Sequence, residues 1–182
     1  TMGSAKTAHL LMNAYNLESK GKTVCVAKPA IDTRFGRMTV ESRVGISRDA
    51  DVVLERSSTD TLQPYVTSYA IFVDEAQFLS VAQVDELRAL TQDVDVFCYG
   101  LRTDYRGVLF DGSRRLCELA DELEEIETTC SWCHNKALFS AKYSITREEG
   151  VERIRVIKHG SDAPDLGAED KYTALCWACW AS

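Results

Sequence analysis

Residues 69–78, Tyr69-Ala-Ile-Phe-Val-Asp-Glu-Ala-Gln-Phe78, decide the fold. An unbroken apolar and aromatic run from Tyr69 to Val73 reads as a strand buried on both faces, and such strands belong to parallel sheets covered by helices. Two carboxylates, Asp74 and Glu75, follow at once, at the C-terminal end of the strand, where open parallel sheets hold their ligands. Upstream, residues 23–27 (Thr-Val-Cys-Val-Ala) repeat the buried-strand pattern, and downstream residues 94–99 give a third strand that stops at Gly100. Helical spacing appears on either side of these strands. Leu10, Ala14 and Leu17, joined by Leu11 and Tyr15, form a stripe that Gly21 closes, and Val81, Val84, Leu87 and Leu90 recur every three residues. Residues 113–123 read as a further helix with an acidic end, and residues 30–50, rich in charge, Gly and Ser, as a loop with short structure. Helices alternating with apolar strands predict an α/β fold with a mostly parallel sheet flanked by helices.

The character changes after Glu127. Short strands over 137–143 and Val151–Ile157, a polar loop over 158–170 and two Cys-x-x-Cys pairs make up the remainder. The expected organisation is therefore an α/β nucleotide-binding domain over 1–127 and a small zinc-ribbon-like lobe over 128–182. Cys130-Ser-Trp-Cys133 and Cys176-Trp-Ala-Cys179 are two knuckles that can converge on one tetrahedral Zn²⁺, which takes four thiolates at about 2.3 Å. His134 beside the first pair can substitute as a ligand, but four cysteines suffice. A catalytic zinc would keep an open position with His or carboxylate ligands, so this ion is expected to be structural. The long stretch between the pairs leaves room for a functional loop.

Composition narrows the partners. The chain has 182 residues, 45% of them apolar, with 21 Lys plus Arg against 28 Asp plus Glu, for a net charge of −7. Nucleic acid and anionic membranes both select clustered positive charge, so neither is expected as a general partner. No apolar run approaches the roughly 20 residues a membrane helix requires, and no charged-then-apolar signal segment opens the chain. Of seven cysteines, Cys25, Cys98 and Cys117 lie scattered in apolar-looking elements. An odd total with paired spacing favours a metal in a reducing compartment over a disulfide framework, and the cytoplasm is expected.

Met2-Gly-Ser-Ala-Lys-Thr7 ends as a phosphate-binding P-loop does, G-x-x-x-x-G-K-[ST], with Ala5 where Gly is usual. A tight turn running into a helix N-terminus aims backbone N–H groups at an anion. Gly3, Ser4, Ala5, Lys6 and Thr7 are thus the candidate phosphate cradle, Lys6 neutralising charge and Thr7 holding Mg²⁺. Asp74 suits the metal's water shell, and Glu75 suits a general base toward a substrate hydroxyl. Lys28-Pro-Ala-Ile-Asp-Thr-Arg34 follows the first strand, where Asp32 and Arg34 can reach metal and phosphate; on its own it reads as a surface turn. Asp74-Glu-Ala-Gln77 also resembles motif II of DExx-box helicases, but these need two recombinase-like domains, a length this chain lacks.

The order of these motifs, with Tyr172-x-x-x-Cys-x-x-Cys last, resembles the type II thymidine kinases, the family with a zinc lobe. Tyr99-Gly-Leu-Arg-Thr-Asp-Tyr-Arg-Gly107, with Phe110 after it, is similar to the stretch that follows the third strand in bacterial members. The resemblance implies a P-loop NTPase-type sheet, ATP with Mg²⁺, and transfer of the γ-phosphoryl group to the 5′-hydroxyl of thymidine or deoxyuridine. It implies Glu75 as the base, Asp74 in the magnesium shell, and Asp32 and Arg34 at the metal and triphosphate. For thymidine it implies an apolar pocket of Met2, Phe78, Leu101, Tyr105, Phe110 and Tyr172. A long loop that includes Ser140 and the 154–157 region, hence Ile154 and Val156, would bind the base mainly through main-chain groups. The segment 158–170 is longer than the family's Gly-Gly turn before Tyr172. A homotetramer with feedback inhibition by thymidine triphosphate (dTTP) is also implied. Two other classes stay open from the residues alone: a different P-loop ATPase acting in DNA repair or recombination, and a non-enzymatic zinc-ribbon adaptor.

Overall fold

The structure, a computed structural model, describes residues 1–148, 151–160 and 172–182. From position 161 on, the expected polar loop 158–170 lies outside the described residues. The chain divides into two compact units: Ala5–Arg102 with Phe110–Glu124, and Thr1–Ser4 with Thr103–Leu109 and Glu125–Ser182.

The larger unit is built on four parallel strands in the order β4-β1-β5-β6, namely β1 (Val24–Pro29), β4 (Val52–Leu54), β5 (Ala70–Val73) and β6 (Asp95–Cys98). Alternation along β1 and β5 sends side chains to two separate cores. Val26, Ala70 and Phe72 meet Leu10, Leu11 and Ala14 of helix α1 (Lys6–Glu18) on one face. Cys25, Ala27, Ile71 and Val73 meet Val84, Leu87 and Leu90 of helix α2 (Val81–Leu90) on the other. Both faces being covered explains why all four residues of β5 are buried, as the unbroken apolar run predicts. Ser80 and Gln83 form a reciprocal capping box that fixes the start of α2.

Two elements differ from the sequence reading. Helix α3 spans Asp111–Leu119 rather than 113–123, because Ala120 turns to extended backbone before Asp121, Glu122, Glu124 and Glu125. The negative end of a helix dipole disfavours acidic side chains there. Gly112 lets α3 start early: a Cβ on it would lie 2.7 Å from the Leu79 carbonyl oxygen and 2.9 Å from those of Ala76 and Gln77. Strand β4 is too short to announce itself by periodicity, yet it pairs with β1 through Val52, Val53 and Leu54. Within 30–50 the short structure is a hairpin of β2 (Thr39–Glu41) and β3 (Ser47–Asp49).

The smaller unit holds a three-stranded antiparallel sheet, order β8-β7-β9, of β7 (Phe139–Glu148), β8 (Val151–Ile157) and β9 (Tyr172–Leu175). The expected strand 137–143 thus starts later and runs longer, paired from Lys142 to Glu148 with β8. A small core of Cys130, Ala137, Ala141, Leu175 and Cys176 lies beneath, and a short helix α4 (Trp177–Ala181) ends the chain. Among the described residues no helix is long and apolar enough to cross a membrane.

Candidate active site

Asp32 follows β1 and Asp74 and Glu75 follow β5, so the C-terminal ends of these neighbouring strands position the three carboxylates, and the first turn of α1 meets them through Thr7. Gly3 (φ 74°) and Ala5 (φ 59°, ψ 24°) both take left-handed backbone before Lys6 opens α1, whose N-terminus no side chain caps. That conformation costs an L-residue about 1 kcal/mol or more. It explains why a Gly is usual where Ala5 stands. Ala5→Gly is therefore expected to leave the fold intact and to change Tm by no more than a few degrees, relief of backbone strain offsetting the added chain entropy of glycine. A thermal melt decides this, and a drop of many degrees would show that the Ala5 methyl packs usefully.

Thr7 donates its hydroxyl to Asp74, 3.0 Å to Oδ2 and 3.3 Å to Oδ1. Asp74 is buried, and its pKa rises to about 7 because burial penalises the charged form and the Glu75 carboxylate adds repulsion, against the Thr7 hydrogen bond. Such a carboxylate is suited to a bound cation. The Lys6 ammonium is held below its ordinary range by burial, with Glu75 and Asp74 pulling the other way. The sign of the Asp74 shift has a consequence for stability. An acid whose folded pKa lies above its ordinary 3.8 favours the fold below that value and loses the advantage as pH rises toward 7. Metal-free protein is therefore expected to lose stability over that window relative to Asp74→Asn. Parallel melting curves for the two proteins from pH 4 to 8 would refute the shift.

Arg34 joins the two strand ends. Its Nε donates to Asp32 Oδ1 at 2.8 Å, and its Nη2 pairs with Glu75 Oε1. Asp32 is buried and leans on Lys28, whose ammonium lies 3.2 Å from Asp32 Oδ2 and donates to the Thr39 carbonyl at 2.8 Å. Burial alone would raise the Asp32 pKa, but the bonds from Arg34 and Lys28 bring it below the usual carboxylate range. Glu75 itself is left-handed (φ 48°, ψ 37°) and precedes a single 3₁₀ turn, Ala76–Phe78. Strained backbone of this kind concentrates at functional sites. The Gln77 amide donates to Glu75 Oε2 at 2.5 Å and accepts from the Leu101 N–H at 3.0 Å. Phe78 and Phe110 meet edge to face, ring centroids 5.8 Å apart.

In the smaller unit the four cysteine sulfurs lie within 4.8 Å of one another, with Cys133 and Cys176 Sγ at 3.6 Å. Bonds of about 2.3 Å at tetrahedral angles put sulfurs roughly 3.8 Å apart, so the set fits one zinc ion. Burial would raise the Cys130 thiol, but backbone N–H groups aimed at it lower its pKa to about 6. The Cys179 N–H and neighbouring thiols lower Cys176 too. Two of the four sulfurs are thus predisposed to the thiolate form a metal requires. Their partners shift the other way, Cys133 upward and Cys179 to about 12 through burial and the thiols beside it; outside the cluster, Cys25 and Cys98 are pushed up to about 12 by burial.

A family model described as thymidine kinase matches residues 1–180. The chain belongs to the thymidine kinase family. It is 36% identical to the thymidine kinase of Enterobacteria phage T4, over 98% of this chain and 91% of the relative. It is 39% identical to that of Haemophilus influenzae strain 86-028NP (97% and 90%), and 36% identical to that of Encephalitozoon cuniculi (98% and 82%).

The smaller unit brings together some of the thymidine candidates that the family resemblance implies, and divides others. Met2 N–H donates to Ser140 Oγ at 2.9 Å, and Tyr105 and Tyr172 meet edge to face at 6.5 Å. Ser140 and the 154–157 region lie in strands β7 and β8, as the strands read over 137–143 and 151–157 predict, although the resemblance implied a long loop there, and Tyr172 opens β9. Antiparallel register sets Ser140, Lys142 and Tyr172 on one sheet face. Ile154 and Val156 pair with Ile145 and Tyr143 on the other, where Val156 packs against the cysteine-lined core. Two polar residues of this thymidine kinase family chain were given no role from sequence. Lys28 is buried in the otherwise apolar strand Val24–Pro29, and that incongruity was its signal. Gln77 was visible only as one letter of the Asp-Glu-x-Gln motif.

Proposed function

We propose that the chain transfers the γ-phosphoryl group of ATP to the 5′-hydroxyl of thymidine, with deoxyuridine as a further acceptor, giving thymidine 5′-monophosphate and ADP. Membership of the thymidine kinase family makes it an ATP-dependent phosphotransferase, and the match over residues 1–180 is the observation that carries this proposal. Gly3, Ser4, Ala5, Lys6 and Thr7 take the triphosphate on backbone N–H groups and the Lys6 ammonium. Thr7 and Asp74, already in contact, would hold magnesium, which would supply positive charge against the triphosphate. Asp32 orients Arg34 toward phosphate. Glu75 accepts the 5′-hydroxyl proton as the oxygen forms its bond to the γ-phosphorus and the bond to the departing ADP oxygen breaks. Positioning and electrostatics carry most of the rate in such transfers.

Phe78, Leu101 and Phe110 in the larger unit, and Met2, Tyr105, Ser140 and Tyr172 in the smaller, are the proposed thymidine residues. Ile154 and Val156 are proposed as main-chain contacts, since β8 is an edge strand with one row of backbone groups outside the sheet. Residues 1–127 carry nucleotide binding and residues 128–182 the structural zinc and the substrate-covering segment. The family resemblance extends the proposal to a cytoplasmic homotetramer inhibited by dTTP, without a nucleic-acid partner. One assay tests the reading: ATP consumption with and without thymidine, repeated with single-stranded DNA. ADP and thymidine monophosphate are expected to form in equal amounts only when thymidine is present. ATP hydrolysis that ignores thymidine and rises with DNA would mark a repair-type ATPase, and no consumption in either arm would mark an adaptor.

A further inference from the structure

We propose that Gln77 is a positioning residue for the reaction, holding the Glu75 carboxylate at a fixed place relative to the main chain of Leu101; this rests on Glu75 being the base. The Gln77 side chain is 3% exposed and has both ends of its amide engaged. Its nitrogen reaches Glu75 Oε2 at 2.5 Å, and its oxygen accepts the Leu101 N–H at 3.0 Å. A primary amide donates to a carboxylate from its nitrogen while its oxygen accepts from a main-chain N–H on the other side. Apolar residues of similar size do neither, and Glu does only the second.

The surroundings are shaped to keep the amide there. A Cβ on Gly100 would lie 2.7 Å from Gln77 Oε1 and 3.0 Å from the Gln77 backbone nitrogen, so only glycine leaves room for this side chain. Gly100 is thus needed for space rather than for its backbone angles. The Ala76 N–H donates to the Tyr99 carbonyl at 2.9 Å, which ties the 3₁₀ turn to the end of β6 from a second side. Ser113 in turn donates to the Leu101 carbonyl at 2.6 Å, so Leu101 is gripped through both its N–H and its C=O. Without Gln77, Glu75 would keep its pairing with Arg34 on Oε1 and lose the donor that fixes Oε2, so the carboxylate would turn more freely about the Arg34 pairing. A base must sit within a few tenths of an ångström of its productive place, and misplacements of about 1 Å cost on the order of 10²-fold in rate.

The test is a steady-state series on the full chain, with rates normalised to nucleotide-binding sites. Gln77→Leu is expected to lower kcat about 10- to 100-fold while KM for ATP and for thymidine stays within about threefold. Gln77→Glu keeps an acceptor for the Leu101 N–H but sets a carboxylate against Glu75, and should be as slow, which separates anchoring of Leu101 from donation to the base. Gly100→Ala should reproduce the deficit, and the double variant Gly100→Ala/Gln77→Leu should be slowed by much less than the product of the single effects, since both act through one contact. Turnover within about twofold of the parent in Gln77→Leu overturns the proposal, as do losses that multiply in the double variant. A deficit that vanishes on normalising to binding sites also overturns it, because it would reflect only loss of folded protein. If Gln77→Leu fails to fold, Gln77→Glu and Gly100→Ala decide by the same criteria. Normal turnover in Glu75→Gln would bring down the assignment of the base itself. Slow Glu75→Gln with unimpaired Gln77 variants would sink only the role of Gln77.

Discussion

Glu75→Gln is expected to slow turnover by about 10²–10⁴-fold while ATP and thymidine still bind, the range that positioned proton acceptors contribute. That range corresponds to roughly 3–5 kcal/mol in the barrier. The exchange is isosteric and retains an oxygen that can accept from Arg34, so the strand end is not dismantled. What disappears is the negative charge that accepts the hydroxyl proton. A second effect follows from the Gln77 contact: the new amide would place a donor against the Gln77 donor, and Gln77 cannot turn over without abandoning the Leu101 N–H. The expected signature is a collapsed kcat with nucleotide and thymidine dissociation constants, measured by calorimetry, within severalfold of the parent. Near-normal turnover would remove Glu75 as the base.

Cys176→Ser is the second large effect. Zinc in the purified chain should fall from about one per chain to a small fraction, because three thiolates leave a tetrahedral site incomplete. The structural cost should be severe. Among the described residues the apolar core of the smaller unit is Cys130, Ala137, Ala141, Leu175 and Cys176, so two of these five are themselves proposed ligands. A core that small cannot hold a three-stranded sheet by apolar burial alone, whereas structural zinc contributes on the order of 10–16 kcal/mol in small zinc-dependent folds. Loss of β7–β9 order, seen as protease sensitivity within 128–182, should accompany loss of the metal, and thymidine turnover should fall with it. Cys117→Ser serves as the control: that cysteine is exposed on α3, and its substitution should leave the zinc content unchanged. Full zinc content in Cys176→Ser would disprove this ligand set.

Much of the larger unit is legible in the sequence because its strands are covered on both faces. Continuous apolar runs such as Ala70–Val73 can be little else when helical stripes stand on either side. The carboxylates at the tip of β5 and the cysteine pairs are legible for a different reason: their chemistry fixes residue type and spacing together. Strand β4 was hidden because three residues carry no periodicity, and pairing with β1 supplies what local pattern cannot. Strand β8 and the first part of β7 were foreseen, but the end of β7 was missed because an antiparallel strand that alternates polar residues, as Ser144 and Thr146 do, mimics a loop, and β9 is only four residues long. The placement of Ile154 and Val156 opposite Ser140 depends on register, which a one-residue slip would reverse. Lys28 and Gln77 escaped because a buried polar side chain declares its role only through its partners, and those lie 2 to 24 residues away in sequence.

The most direct measurement of the central claim is a crystal structure of the full chain with thymidine and a non-hydrolysable ATP analogue bound together with magnesium. The thymidine 5′-oxygen is expected about 2.6–3.2 Å from a Glu75 carboxylate oxygen, and in line with the γ-phosphorus. A 5′-oxygen held by another residue, beyond reach of Glu75 even through one water, would contradict the account.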